Sequence, residues 1–73
     1  MRSNHYTIED EYIGIPLTID GEVTEFTPNE FPMVIINNIS FRDRPLEMWT
    51  LNDRYIEHLR DRLFQTWCQD RRQ

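Results

Sequence analysis

Lysine and alanine are missing from this chain altogether, and cysteine occurs once, at Cys68. Apart from histidine, every basic side chain is therefore a guanidinium: planar, permanently charged, and able to grip an anion with two parallel bonds. High-GC coding would trade lysine for arginine but would also enrich alanine, so it does not account for both gaps. Chance in a short chain is the simpler explanation. The single cysteine excludes an intrachain disulfide and fits a reducing compartment, with a bridge between two chains as the alternative. No grouping of cysteine and histidine has the spacing of a structural zinc site. The longest apolar run, Met33-Val34-Ile35-Ile36, is far short of the about 20 residues that cross a bilayer. The segment Met1-Arg2-Ser3-Asn4-His5 lacks the apolar stretch of a signal peptide. A cytoplasmic protein that does not enter a membrane is the expectation.

Catalytic signatures are missing as well. With two glycines there is no glycine-rich phosphate loop, and no serine or cysteine sits in a nucleophile motif. His58 has Glu57 beside it and Asp61 within a turn, but a histidine on a charged helix face is ordinarily just solvated. His5 lies in a segment expected to be mobile. A chain of 73 residues also has little room for a closed pocket of about 300–1,000 Å³. No enzyme, no cofactor and no metal are expected.

The chain does hold a sharp segregation of charge. From Glu9 to Glu30 there are seven carboxylates (Glu9, Asp10, Glu11, Asp20, Glu22, Glu25 and Glu30) and no lysine or arginine. From Arg42 onward seven arginines face six acids, within an overall net charge of -5. A field concentrated on one part of a small domain attracts cationic partners and repels phosphate.

At this length the chain forms one domain, 1–73, that buries only about 60% of its unfolded surface. Residues 1–10 read as a mobile lead-in, 12–51 as mainly strands and turns, and 52–70 as a helix. Tyr12 to Ile19 alternates, with Ile13, Ile15, Leu17 and Ile19 on one side, which is the period of a half-buried strand. Pro16 argues for an edge position or a bulge. Asp20-Gly21 is a hairpin signal. A two-residue turn there puts Val23 on the face opposite the isoleucines. Thr27-Pro28-Asn29-Glu30 opens like a helix but Pro32 limits it to one turn. Met33 to Phe41 reads as a central strand, with a second hairpin at Asn37-Asn38 as the weaker alternative. Arg42-Asp43-Arg44-Pro45 is a turn, and Leu46 to Leu51 is either a fourth strand or the lead-in to the helix.

The helix is the clearest element. Thr50-Leu51-Asn52-Asp53 has capping-box form, with Asn52 as a competing cap. Tyr55, Ile56, Leu59, Leu63 and Trp67 then recur at helical spacing on one face. The fold class is α+β: a small antiparallel sheet of three or four strands with a C-terminal amphipathic helix packed on one face.

On the polar side of that helix, Asp53, Glu57 and Asp61 form one stripe and Arg54, His58 and Arg62 another. Like charges at this spacing are mildly destabilising, so the stripes either face a partner or are relieved by neighbours such as Glu57 with Arg60. Phe64, Leu51, Val23, Phe26 and Trp49 form an apolar surplus that one sheet face and one helix face do not obviously cover. The expected function is a non-catalytic, protein-binding inhibitor or adaptor that occupies a basic surface on a partner. It resembles the nucleic-acid-mimicking inhibitors of phages and mobile elements in size and charge alone. Its expected contact residues are Glu9, Asp10, Glu11, Asp20, Glu22, Glu25, Glu30, Asp53, Glu57, Asp61 and Phe64. A homodimer or other homo-oligomeric accessory subunit is the second reading. A regulatory nucleic-acid binder using Arg54, Arg60, Arg62, Arg71 and Arg72 is the third, and the net negative charge opposes direct nucleic-acid binding.

Overall fold

A computed structural model describes residues 2–47 and 50–71. Four strands, β1 (Arg2–Tyr12), β2 (Ile15–Glu25), β3 (Met33–Phe41) and β4 (Arg44–Leu46), are followed by one helix, α1 (Asp53–Arg71). The strands form an antiparallel sheet in the order β1-β2-β3-β4, so each pairs with its neighbour in sequence. The helix packs across one face and touches β1, β2 and β3. The fold is α+β, with all of its helix on one side of the sheet.

Residues 2–10, expected to be mobile, instead form most of β1. Their alternation explains why: Tyr6, Ile8 and Tyr12 point to the helix side, with Ile8 buried and both tyrosines packed on the core. The first hairpin turn is Ile13-Gly14, not Asp20-Gly21. Ile13 (φ 50°) and Gly14 (φ 78°) both take the left-handed region, as a two-residue turn closed by Tyr12 and Ile15 requires. A β-branched residue strongly resists that conformation, which hid the turn. The Ile13 side chain is 83% exposed, so nothing in its packing offsets the strain.

Moving the turn re-sorts the faces. Val23, expected opposite the isoleucines, lies on the same inner face as Leu17 and Ile19, and all three are buried. Ile15 keeps the parity but is exposed near the turn. Asp20-Gly21 sits inside β2, where the register to β3 shifts: Asp20 pairs with Asn38 and Gly21 with Ile36. Asn37 is the extra residue, a bulge rather than a hairpin turn. It allows Ile36 and Ile39, an odd number of positions apart, to point into the same core. Gly21 is buried because α1 passes directly over it; a β-carbon there would stand 2.5 Å from Leu63 Cδ1 and 2.9 Å from the Ile35 carbonyl oxygen.

Thr27 to Glu30 makes the single expected turn, the Glu30 N–H donating to the Thr27 carbonyl at 3.3 Å. Arg42 and Asp43 form the second tight turn, both with positive φ, while Arg44 and Pro45 already belong to β4. Leu46 is therefore a strand residue, opposite Ile39. Met48, which a longer fourth strand would place on the same face as Leu46, lies outside the described residues.

Asn52, not Thr50, caps the helix: its side-chain oxygen accepts from the Arg54 N–H at 2.8 Å. Thr50 instead donates its hydroxyl to the Glu47 carbonyl. Leu59, Leu63 and Trp67 are buried, with Tyr55 and Ile56 packed at the margin as the spacing predicts. Burial stops at Trp67, and Asp70 one turn on accepts a hydrogen bond from the Tyr6 hydroxyl at 2.9 Å. Leu51, read as surplus, is buried, and Phe64 is half-buried with its ring 5.7 Å from that of Trp67. Trp49 and Arg72 lie outside the described residues.

Candidate functional site

Strand alternation and register distribute the carboxylates between two sides of the sheet. Odd-numbered residues of β1 and even-numbered residues of β2 face away from α1, so Glu9, Glu11, Asp20 and Glu22 share the uncovered face. Hydroxyls and an amide hold part of this array. Thr7 donates to Asp20 at 2.6 Å, Ser3 to Glu22 Oε2 at 3.4 Å, and Asn37 to Glu22 Oε1 at 3.1 Å. Among the described strand residues on this face there is no arginine; His5, opposite Glu22, is the only basic type. Next to the carboxylates, β3 presents Met33 and Ile35, which are 50% and 40% exposed. The loop before it carries Phe31, 90% exposed, and Phe26 is also exposed. Phe26 belongs to the apolar surplus expected from the sequence; Phe31, Met33 and Ile35 were not part of it. The both-sided apolar character of β3 signals Met33 and Ile35, since a helix covers only one side, but not Phe31, which lies in the loop.

The other carboxylates go elsewhere. Glu25 faces the helix side and pairs with Arg71 at 3.4 Å, whose guanidinium also stacks over Trp67 at 4.7 Å. Glu30 stays exposed in the loop after β2. Asp53, Glu57 and Asp61 form an exposed stripe on α1, remote from the acidic sheet face because the helix lies on the opposite side. Arg60 approaches Glu57 at 3.8 Å, the local relief expected for that stripe. Phe64 packs against the core instead of standing free on the acidic side.

Asp10 is the largest correction. It is on the helix side, its side chain only 12% exposed, and it accepts from Arg62 at 2.7 Å and from His58 at 2.9 Å. Its own carboxylate also takes the Glu11 N–H at 2.6 Å. Two members of the supposed basic stripe are thus turned inward to one β1 carboxylate. Arg62 further donates to the Glu9 carbonyl at 2.6 Å. Around this cluster Tyr12 and Tyr55 stack with centroids 4.4 Å apart, and the Tyr55 ring stands 5.9 Å from His58. Burial, reinforced by the negative charge of Asp10, pushes the Tyr55 hydroxyl up to about 12. Among the described residues no atom meets that hydroxyl in strict hydrogen-bond geometry, although the Asp10 carboxylate lies near enough to attract its proton and oppose its ionisation. A phenol held so firmly in its protonated form is a poor base or nucleophile at neutral pH. The cluster clamps β1 to α1.

Burial alone would raise the Asp10 pKa, but the hydrogen bonds from Arg62, His58 and the Glu11 N–H outweigh it and leave the carboxyl below its ordinary 3.8. The folded chain therefore binds this proton less readily than the unfolded chain. The stabilisation is complete above the ordinary carboxylate range and is lost as pH falls through the lowered value. Asp10→Asn should lower stability at pH 7 by about 1–3 kcal/mol, the scale of hydrogen bonds to charged groups. It should also flatten the acid limb of the stability profile below about pH 5. Urea titrations at several pH values check both; an unchanged acid limb counts against the clamp.

Among the described residues no group of histidine, cysteine and carboxylates could hold a metal ion, and no helix is long and apolar enough to cross a membrane. Comparison with protein-family models, with curated proteins and with solved structures yields no match to this chain.

Proposed function

We propose that this domain is a non-catalytic, protein-binding inhibitor or adaptor that lays its uncovered sheet face on a basic surface of a partner protein. The observation that carries this reading is the gathering of Glu9, Glu11, Asp20 and Glu22 on a face without arginine, beside exposed Met33 and Ile35. Carboxylates two residues apart on a strand repeat about every 7 Å. Two such rows on adjacent strands offer a partner a regular anionic surface of the kind a nucleic-acid backbone offers. The apolar strip beside them supplies burial that charge alone does not. A cytoplasmic setting fits the single thiol.

Self-association through this same face is disfavoured, because it would strip water from four carboxylates per copy with His5 as the one basic side chain among the described strand residues to receive them. Binding of nucleic acid through α1 loses two of its supposed contacts, since Arg62 is engaged by Asp10 and Arg71 by Glu25.

The test is association kinetics with a partner recovered by pull-down, measured against ionic strength. A variant carrying Glu9→Gln, Glu11→Gln, Asp20→Asn and Glu22→Gln should associate at least about tenfold more slowly at low salt and lose most of its salt dependence. Its melting temperature should change little, because Glu9 and Glu11 are exposed charges of small stabilising effect, and the amides at 20 and 22 keep an acceptor oxygen for Thr7, Ser3 and Asn37. Arg54→Ala should leave the rate near that of the parent. Unchanged kinetics in the neutralised protein would reduce the acidic face to a device for solubility.

A further inference from the structure

The two edges of the sheet differ sharply. β4 is three residues long and contains Pro45, which cannot donate to a ladder. β1 is eleven residues long and pairs on one side only, with β2. In a two-residue hairpin the closing pair exchanges both backbone bonds, so Tyr12 and every even-numbered residue of β1 bond β2. The odd-numbered residues turn their N–H and C=O groups to the free edge. Part of that edge is already occupied: Arg62 caps the Glu9 carbonyl, and Asp10 takes the Glu11 N–H. No comparable backbone cap is present at Ser3, His5 or Thr7 among the described contacts, and residues 2–8 contain no carboxylate. The edge is thus guarded at 9–11 and open at 3–7.

We infer that the open half of β1 pairs antiparallel with the same segment of a second copy, joining two sheets into one of eight strands. The occupant follows from charge and register. A two-fold axis at His5 sets Ser3 against Thr7 of the other copy and His5 against His5, each pair exchanging two backbone bonds. In this register residues 2–8 of the two copies face one another, and because they contain no carboxylate, no carboxylate faces a carboxylate within the paired segment. Arg2 falls opposite Ile8 and diagonal to Asp10 of the second copy, on the same side of the sheet and about 7–8 Å away, within reach of an arginine. Sliding the strands by two residues toward the acidic end would bring the capped Glu9 carbonyl into the ladder, where Arg62 obstructs it. With its other edge blunted, the sheet closes as a symmetric dimer and does not extend into a fibre. This pairing is independent of the acidic-face reading; it would set the two acidic faces side by side on one surface.

Sedimentation equilibrium of the purified chain, without any partner, should show a reversible monomer–dimer equilibrium between micromolar and submillimolar concentration. Amide exchange at Ser3, His5 and Thr7 should slow as concentration rises, at least about fivefold from the dilute to the concentrated sample. His5→Pro removes an outward N–H that β2 does not use and should weaken the dimer at least tenfold. His5→Lys places like charges at the axis while giving Glu22 a cation in the monomer, and should weaken the dimer severalfold without loss of fold. A chain that remains monomeric throughout overturns the inference. So does a dimer whose exchange at these three amides is independent of concentration. Because the experiment contains no partner protein, its failure leaves the acidic-face proposal standing, and a failed partner assay leaves this one standing.

Discussion

Leu59→Ala should lower stability by about 2–5 kcal/mol, the loss found when a buried leucine is cut to alanine and its cavity only partly collapses. Leu59 is fully buried in the first half of α1, in the core between helix and sheet. Small domains are commonly stable by only about 5–15 kcal/mol, and one near the lower limit would be largely unfolded by this change. Urea denaturation followed by far-ultraviolet circular dichroism measures it directly. A midpoint within error of the parent would mean that the helix uses another face.

Gly21→Ala should destabilise by about 1–3 kcal/mol, as expected for overpacking a filled core. On backbone grounds alone the opposite sign is expected, since alanine restricts the unfolded chain more and is favoured over glycine in a strand by about 0.5–1 kcal/mol. The contact decides. The added methyl would meet Leu63 at 2.5 Å, which can rotate, and the Ile35 carbonyl at 2.9 Å, which is held in the β2–β3 ladder. Leu63→Ala relieves the first clash and not the second. The double variant should therefore lose less stability than the two single losses added together, while remaining below Leu63→Ala alone. Strict additivity, or a stabilised Gly21→Ala, would show that α1 does not press on β2 at this point.

The helix and the fold class were legible in the sequence because Leu59, Leu63 and Trp67 recur at helical spacing after a capping asparagine. The middle strand was legible from its isoleucines and valine. Two physical facts hid the rest. Turn chemistry points to glycine, asparagine and aspartate, so Asp20-Gly21 outranked Ile13-Gly14, although the actual turn has isoleucine in a left-handed conformation. Gly21 is there to admit the helix, a tertiary reason that no local pattern carries. That displacement also misplaced Val23, and it concealed β1, whose alternating Tyr6, Ile8 and Tyr12 were in plain view among polar neighbours.

The acidic site was legible in part. Composition located the carboxylates, but only strand parity separates Glu9 and Glu11, on the open face, from Asp10, on the helix side. A reading that treats consecutive acids as one field cannot make that distinction. The same limit applied to His58 and Arg62, which lie on the polar side of an isolated helical wheel. They are drawn inward by a carboxylate distant in sequence.

The meander order of the strands also governs what happens while the protein is being made. Each strand has its partner immediately before or after it, so the sheet can assemble from the N-terminal end as soon as each hairpin is complete. Its cover comes last. A truncated chain without residues 53–71 would leave Leu17, Ile19, Val23, Ile36 and Ile39 without the helix that covers them. Such exposed strand surface is the form in which partly folded chains aggregate. Stalled synthesis or proteolytic loss of the helix would therefore leave a sticky sheet for the cell's chaperones and proteases to clear, not a weakened version of the domain.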